Sequence, residues 1–120
     1  MTERRFDLED RLINFSAEII AVVDELPPTK ASSHLGGQLL RSGTAPALHY
    51  GEAQSAESQK DFIHKMKGAL KELRESRINL RILERVRQLG PTGVPTLAEC
   101  TELIRIFKKS IETAERNLNK

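Results

Sequence analysis

The sequence predicts an all-α fold: an antiparallel up-down-up-down four-helix bundle with a proline-kinked second helix. Three observations predict it. Four amphipathic segments follow one another, and none shows the alternating pattern of a strand. Only short connections separate them, so successive helices must run antiparallel. The stretch from Ser58 to Leu89 holds no proline, a single glycine (Gly68) and a surface sorted by chemistry.

The chain has 120 residues, the size of one domain spanning residues 1–120. A chain of this length buries roughly two-thirds of its unfolded surface, enough for an independent core. It is 38% hydrophobic and 30% charged, which suits a helical protein with a large polar surface and not a disordered one. Four Phe, one Tyr and no Trp leave no set of stacking platforms for single-stranded bases. The net charge of +2 is too balanced to imply nucleic acid by itself, so only local clustering can argue for it. One cysteine, Cys100, excludes an intrachain disulfide and a cysteine metal cluster. Met1 to Asp7 carries charges with no apolar run behind them, unlike a signal peptide. No segment reaches the roughly 20 apolar residues that span a bilayer, and the expected location is cytoplasmic.

Helix one is expected from about Asp7 to Leu26. Asp7 can cap it, with Asp10 three residues on. Leu8, Leu12, Phe15, Ile19, Val22 and Leu26 alternate spacings of four and three, a heptad-type seam. Ile13, Ile20 and Val23 widen that seam into a bundle-facing surface. Pro27-Pro28 stops the helix, because neither ring supplies an N–H.

Helix two is expected from about Thr29 to Ala53. Its apolar side is thin (Leu35, Leu39, Leu40, Leu48) and its small residues are many, among them Gly36, Gly37, Ser42, Gly43 and Gly51. Small side chains let a neighbouring backbone approach closely. Pro46 removes the partner of the Ser42 carbonyl, so a kink or a split into two short helices is expected there.

Helix three occupies Ser58 to Leu89, with Ser58 and Asp61 as a cap pair and Gly90-Pro91 as its stop signal. With Phe62 set at zero on a helical wheel, Phe62, Met66, Ala69, Leu73 and Leu80 fall within about 40° of a common line. Lys60, Lys67, Lys71, Arg74, Arg81 and Arg85 form a cationic stripe on the far side, and Glu57, Asp61, Glu72 and Glu75 form an acidic one beside it. Helix four is expected to start at a capping box, Thr96-Leu97-Ala98-Glu99. Its seam is Leu97, Cys100, Ile104, Phe107, Ile111, Ala114 and Leu118. The wide apolar arcs of helix one and helix four, the latter with Leu103 and Ile106, exceed what one small bundle buries and favour self-association.

Three blocks resemble a known family. They are Phe6-Asp7-Leu8-Glu9-Asp10-Arg11-Leu12, Gln38-Leu39-Leu40-Arg41-Ser42-Gly43-Thr44, and Lys60-Asp61-Phe62-Ile63-His64-Lys65-Met66 leading to Ala69-Leu70-Lys71-Glu72-Leu73. Together they look like the four helix bundle protein family, also described as the intervening-sequence proteins, since some members are encoded within insertions in bacterial large-subunit ribosomal RNA genes. Helix four matches only in pattern. The resemblance implies a left-handed bundle that associates into a ring of five copies, with no established enzymatic activity. It also extends to the accessory variability protein of diversity-generating retroelements, a basic pentamer that binds nucleic acid and a reverse transcriptase. One departure stands out. Many members carry Asn-x-x-Glu-Gly late in helix two, where this chain reads His49-Tyr50-Gly51-Glu52.

The cationic stripe is the candidate nucleic-acid-binding surface: Lys60, Lys67, Lys71, Arg74, Arg81 and Arg85. Such a line can contact successive phosphates, with an affinity that falls steeply with salt. Two other readings stand beside it: a solvated face with local pairs such as Lys71 with Glu75 and Asp61 with Lys65, and a subunit interface in which one copy's basic stripe meets the next copy's acidic one. His49 and Glu52 share a face, as do Asp61 and His64, but the helix one and four seams lack the glutamates of a di-metal bundle. His49 is expected to hydrogen-bond inside the bundle, Cys100 to be a small core residue, and His34 to have no partner. The expected function is therefore a non-enzymatic homo-oligomer with no metal or cofactor. Its partners are further copies of itself, with RNA or DNA or a protein as candidates beyond them, and no membrane.

Overall fold

A computed structural model describes residues 7–120 of the chain; Phe6 of the first family block and the charged start of the N-terminus lie outside the described residues. Four helices make up the fold: α1 (Leu8–Asp24), α2 (Lys30–Gln54), α3 (Gln59–Arg85) and α4 (Gly93–Leu118). No strand occurs among the described residues. Each helix packs on its neighbours in sequence and α4 closes on α1, while the α1 and α3 backbones lie across the diagonal without close approach, as do those of α2 and α4. Contacts between neighbouring helices run in opposite directions. Ser42 meets Ser76, and His49, further along α2, lies on Gly68, further back on α3. Arg11 meets Glu99, and Glu25, at the far end of α1, accepts from Thr92. These pairings are compatible with the expected up-down-up-down order.

The caps of α1 and α3 follow the sequence. Asp7 accepts from the Asp10 N–H at 3.0 Å and Ser58 from the Asp61 N–H at 3.0 Å. Both satisfy a first-turn donor that has no partner within the helix. On α1 the predicted seam is the core face: Leu8, Leu12, Phe15, Ile19 and Val22 are buried. Ile13 and Ile20 are not part of the bundle surface. They are 50% and 45% exposed, because α1 packs on α2 and α4 alone and its third side faces out.

On α2 the core face is the small-residue face. Ser32, Gly36, Ser42, Gly43, Pro46 and Ala53 are buried with Leu39, whereas Leu40 is exposed and Leu48 is 71% exposed. The reason is distance. A Cβ placed on Gly43 would lie 2.7 Å from Ile19 Cγ1 and Cγ2, and one on Gly36 would lie 3.2 Å from Leu26. The helix runs unbroken from Lys30 to Gln54 through Pro46, so the split into two short helices does not occur. The Pro46 ring is buried in the core, and Ser16 Oγ of α1 donates to the Gly43 carbonyl at 3.5 Å.

α3 buries more than the predicted stripe. Met66, Ala69, Leu73 and Leu80 are buried as expected, and Ile63, Leu70, Ser76, Asn79 and Leu83 join them, while Phe62 is only partly covered. Packing against α2 on one side and α4 on the other demands this wider arc. The helix stops at Arg85, not Leu89. Arg87 takes a positive φ of 63°, its N–H donates to the Glu84 carbonyl and the Gln88 N–H to the Leu83 carbonyl. That is a Schellman turn with arginine at the position glycine usually fills. Gly90 is thus not the helix terminator.

α4 begins at Gly93, three residues before the expected capping box. Pro95 sits in the first turn, where its missing N–H costs nothing. Thr96 is inside the helix and donates to the Thr92 carbonyl at 2.9 Å. Glu99 is engaged by Arg11, so neither residue performs the predicted capping. Gly93 is the position on which Leu89 packs; a Cβ there would collide with Leu89 Cγ and Cδ1. The buried seam of α4 runs through Thr96, Cys100, Leu103, Phe107, Ile111 and Ala114, with Leu97 and Ile104 at its edge and Leu118 exposed. Tyr50 meets Phe107 edge-on, with ring centroids 6.1 Å apart. One cluster of buried apolar residues draws on all four helices.

Candidate functional site

The predicted cationic stripe exists as an exposed surface: Lys60, Lys67, Lys71, Arg74, Arg81 and Arg85 are all exposed on α3. Among the described residues only Lys67 of these six pairs with a carboxylate, Glu115 of α4 at 2.9 Å. The expected Lys71–Glu75 pair is absent, whereas Asp61–Lys65 forms at 3.0 Å. That pair lowers the Asp61 carboxyl through the Lys65 hydrogen bond and the Glu57 N–H, and raises Lys65 in turn. Both side chains keep about a third of their surface in water, so the pair is a surface feature.

Tertiary packing divides the stripe. Lys67, Lys71 and Arg74 line a groove of about 920 Å³ that runs over the outer side of α3. Arg41 of α2 forms part of one wall and Lys108 of α4 part of the other. The apolar lining comes from Leu70, Ile78, Ile82 and Ile111; among the described residues Glu75 and Glu112 are its only carboxylates. Ile78 and Ile82 are 53% and 40% exposed. Lys60, Arg81 and Arg85 lie outside the groove. Arg41 and Lys108 escaped the sequence reading, because nothing in one helix's pattern tells which residue of another helix will stand opposite. A lone Arg41 beside the buried Ser42 and Gly43 was the available signal.

The other candidate residues show no assembled chemistry. The thiol of Cys100 is buried, donates to the Leu73 carbonyl at 3.2 Å, and is pushed up to about 12 by burial. Such a thiol is a core residue and a poor nucleophile. His49 Nδ1 lies 3.9 Å from Glu52 Oε1, and the imidazole rests on Gly68. His49 therefore spans the α2–α3 contact at its edge, and the expected hydrogen bond inside the bundle does not form among the described residues. The Tyr50 hydroxyl is raised by burial, with Glu9 and Asp7 adding to the effect. Among the described residues no group of three or more His, Cys, Asp or Glu is placed to hold a metal ion. Three polar links among the described residues tie the sparsely packed α1–α4 pair, the longest from Thr96 Oγ1 to Glu18 at 3.5 Å. Arg11 Nε and Nη2 donate to Glu99 at 2.6 and 2.8 Å, a bidentate pair, and that hydrogen bonding raises the guanidinium above its usual value. Thr92 Oγ1 donates to Glu25 at 2.7 Å.

The model of the 23S rRNA-intervening sequence protein family matches residues 5–112. The chain belongs to that family. A solved structure has the same fold: a protein with unknown function from the S23 ribosomal protein family of Bacteroides thetaiotaomicron VPI-5482. It is 27% identical, with a TM-score of 0.80 over 88% of this chain and 98% of that one. No curated protein matches. Neither the 23S rRNA-intervening sequence family description nor the neighbour's description names an enzyme. No described helix is long and apolar enough to cross a membrane.

Proposed function

We propose that this 23S rRNA-intervening sequence family protein is a non-catalytic, homo-oligomeric scaffold of the cytoplasm. The observation that carries this reading is the apolar surface left outside the bundle. Ile13 and Ile20 on α1, Leu40 and Leu48 on α2, and Ile78, Ile82 and Val86 on α3 stand exposed while the core itself is closed. Exposed apolar side chains in contiguous stripes mark association surfaces. Five copies is the number that the family resemblance implies. Light scattering tests the reading: the protein should run as a defined oligomer, and a monomer at micromolar concentration would refute it.

One observation favours a second reading, nucleic-acid binding. Lys60, Lys71, Arg74, Arg81 and Arg85 have no carboxylate partner among the described residues, and unpaired cations in a line suit phosphates. An RNA or DNA duplex titrated at two salt concentrations tests it. Affinity should fall linearly with log salt; an affinity independent of salt would discard this reading.

A further inference from the structure

The two apolar surfaces on opposite sides of the bundle differ in sign. On α1, Ile13, Ala17 and Ile20 form an exposed ridge. Placed on the helix, they lie within about 40° of Ile13, with Glu9, Asp10 and Asp24 within about 60°. Glu18 is exposed on the same helix, and α1 has no exposed Lys or Arg. None of these four carboxylates pairs with a cation among the described residues. Across the molecule, the groove on α3 offers isoleucines beneath five cations: Arg41, Lys67, Lys71, Arg74 and Lys108. Glu75 and Glu112 line it as well and Lys67 is paired with Glu115, so the cations are only partly offset.

We infer that the groove over α3 is the docking site for the α1 ridge of a second copy. The inference rests on the self-association proposed above and names its two surfaces. Three matches support it. Carboxylates flank the apolar centre of the ridge, and cations flank the apolar floor of the groove. The lengths agree: Glu9 to Asp24 and Lys67 to Ile82 each span about 22 Å of helix at 1.5 Å per residue. The mode is also the ordinary one for an amphipathic helix, which lays its apolar face into a groove lined by other helices. Nucleic acid fits this groove less well. Its apolar lining gives a phosphate backbone nothing, and no aromatic ring lines it for a base to stack on.

The geometry also dictates the type of assembly. Since α1 and α3 are diagonal, a copy cannot turn its own ridge into its own groove. The contact is head to tail, so each copy uses its groove for one neighbour and its ridge for the other. Such a chain of contacts closes into a ring when the rotation between copies allows.

The test is charge reversal read by light scattering, with helical content followed by circular dichroism. The groove variant is Lys67→Glu, Lys71→Glu, Arg74→Glu; the ridge variant is Glu9→Lys, Asp10→Lys, Asp24→Lys. Each should keep its helical content and weaken self-association by about a hundredfold or more, since like charges then face each other. A chain carrying all six changes should recover the wild-type mass. If the wild type is oligomeric and both variants keep its mass, this pairing is overturned while self-association stands. A monomeric wild type overturns both. Dispersal of the wild-type assembly by a nucleic-acid duplex, with duplex binding lost in the groove variant, would assign the groove to nucleic acid and overturn the pairing.

Discussion

The α1–α2 seam and the groove over α3 are both places where helices meet, yet one is closed and the other open. At the seam α2 presents Gly36 and Gly43, and the side chains of Ile19, Val23 and Leu26 fill the space a Cβ would need. At the groove α2 presents Arg41, α3 presents Lys67 and Lys71, and α4 presents Lys108. Long charged side chains lay their stems along apolar surface and keep their heads in water, yet here they leave Ile78 and Ile82 53% and 40% exposed. The difference separates two jobs. Residues at the seam and in the core set stability, and residues at the groove set association.

That separation can be broken at several points. The largest expected effect lies in the closed part: Phe107→Ala should lower stability by about 4 kcal/mol, because the ring is buried and meets Tyr50. Denaturant unfolding reads the change. Within α2 one substitution should have opposite signs at two positions. Gly43→Ala should cost about 1–2 kcal/mol, the overpacking against Ile19 outweighing the better helix propensity. Gly37→Ala, where nothing lies within 4 Å, should gain up to about 1 kcal/mol. Equal effects at the two glycines would remove the packing account of the seam. Arg87→Gly should raise the unfolding midpoint by a similar amount, since it relieves arginine of a left-handed conformation that costs about 1 kcal/mol. The smallest effect is a rate. The buried Cys100 thiol, held neutral near pH 7 by a value of about 12, should react with an alkylating reagent only as fast as the protein opens. Rapid labelling of the folded protein would contradict its burial.

Much of the fold was legible in the sequence, and the misses share a cause. The α1 seam, the caps at Asp7 and Ser58 and the crowding of α2 by small residues are local patterns, and all are present. The errors arose where a residue's partner lies on another element. Glu99 looked like a capping residue but reaches Arg11 across α1 and α4. Gly90 looked like a helix stop, while the turn forms at Arg87 by its own backbone hydrogen bonds. Ile13 and Ile20 read as bundle-facing although their arc exceeded what one bundle buries, because a wheel shows that a face is apolar without showing how many neighbours the helix has. Likewise the cationic stripe was visible as a line on α3, and only the fold shows that three of its six members join Arg41 and Lys108 over an apolar floor.

Mixing offers the most direct measurement of whether the ridge enters the groove. The groove-reversed chain has an acidic groove and an acidic ridge; the ridge-reversed chain has a basic groove and a basic ridge. Each should be monomeric alone. Combined in equal amounts, they should associate, because each ridge then meets a groove of opposite charge on the other chain. Light scattering of the mixture should show a mass well above one copy that falls as salt rises. A mixture that stays monomeric, from variants that each lost the wild-type assembly, would contradict the pairing of these two surfaces.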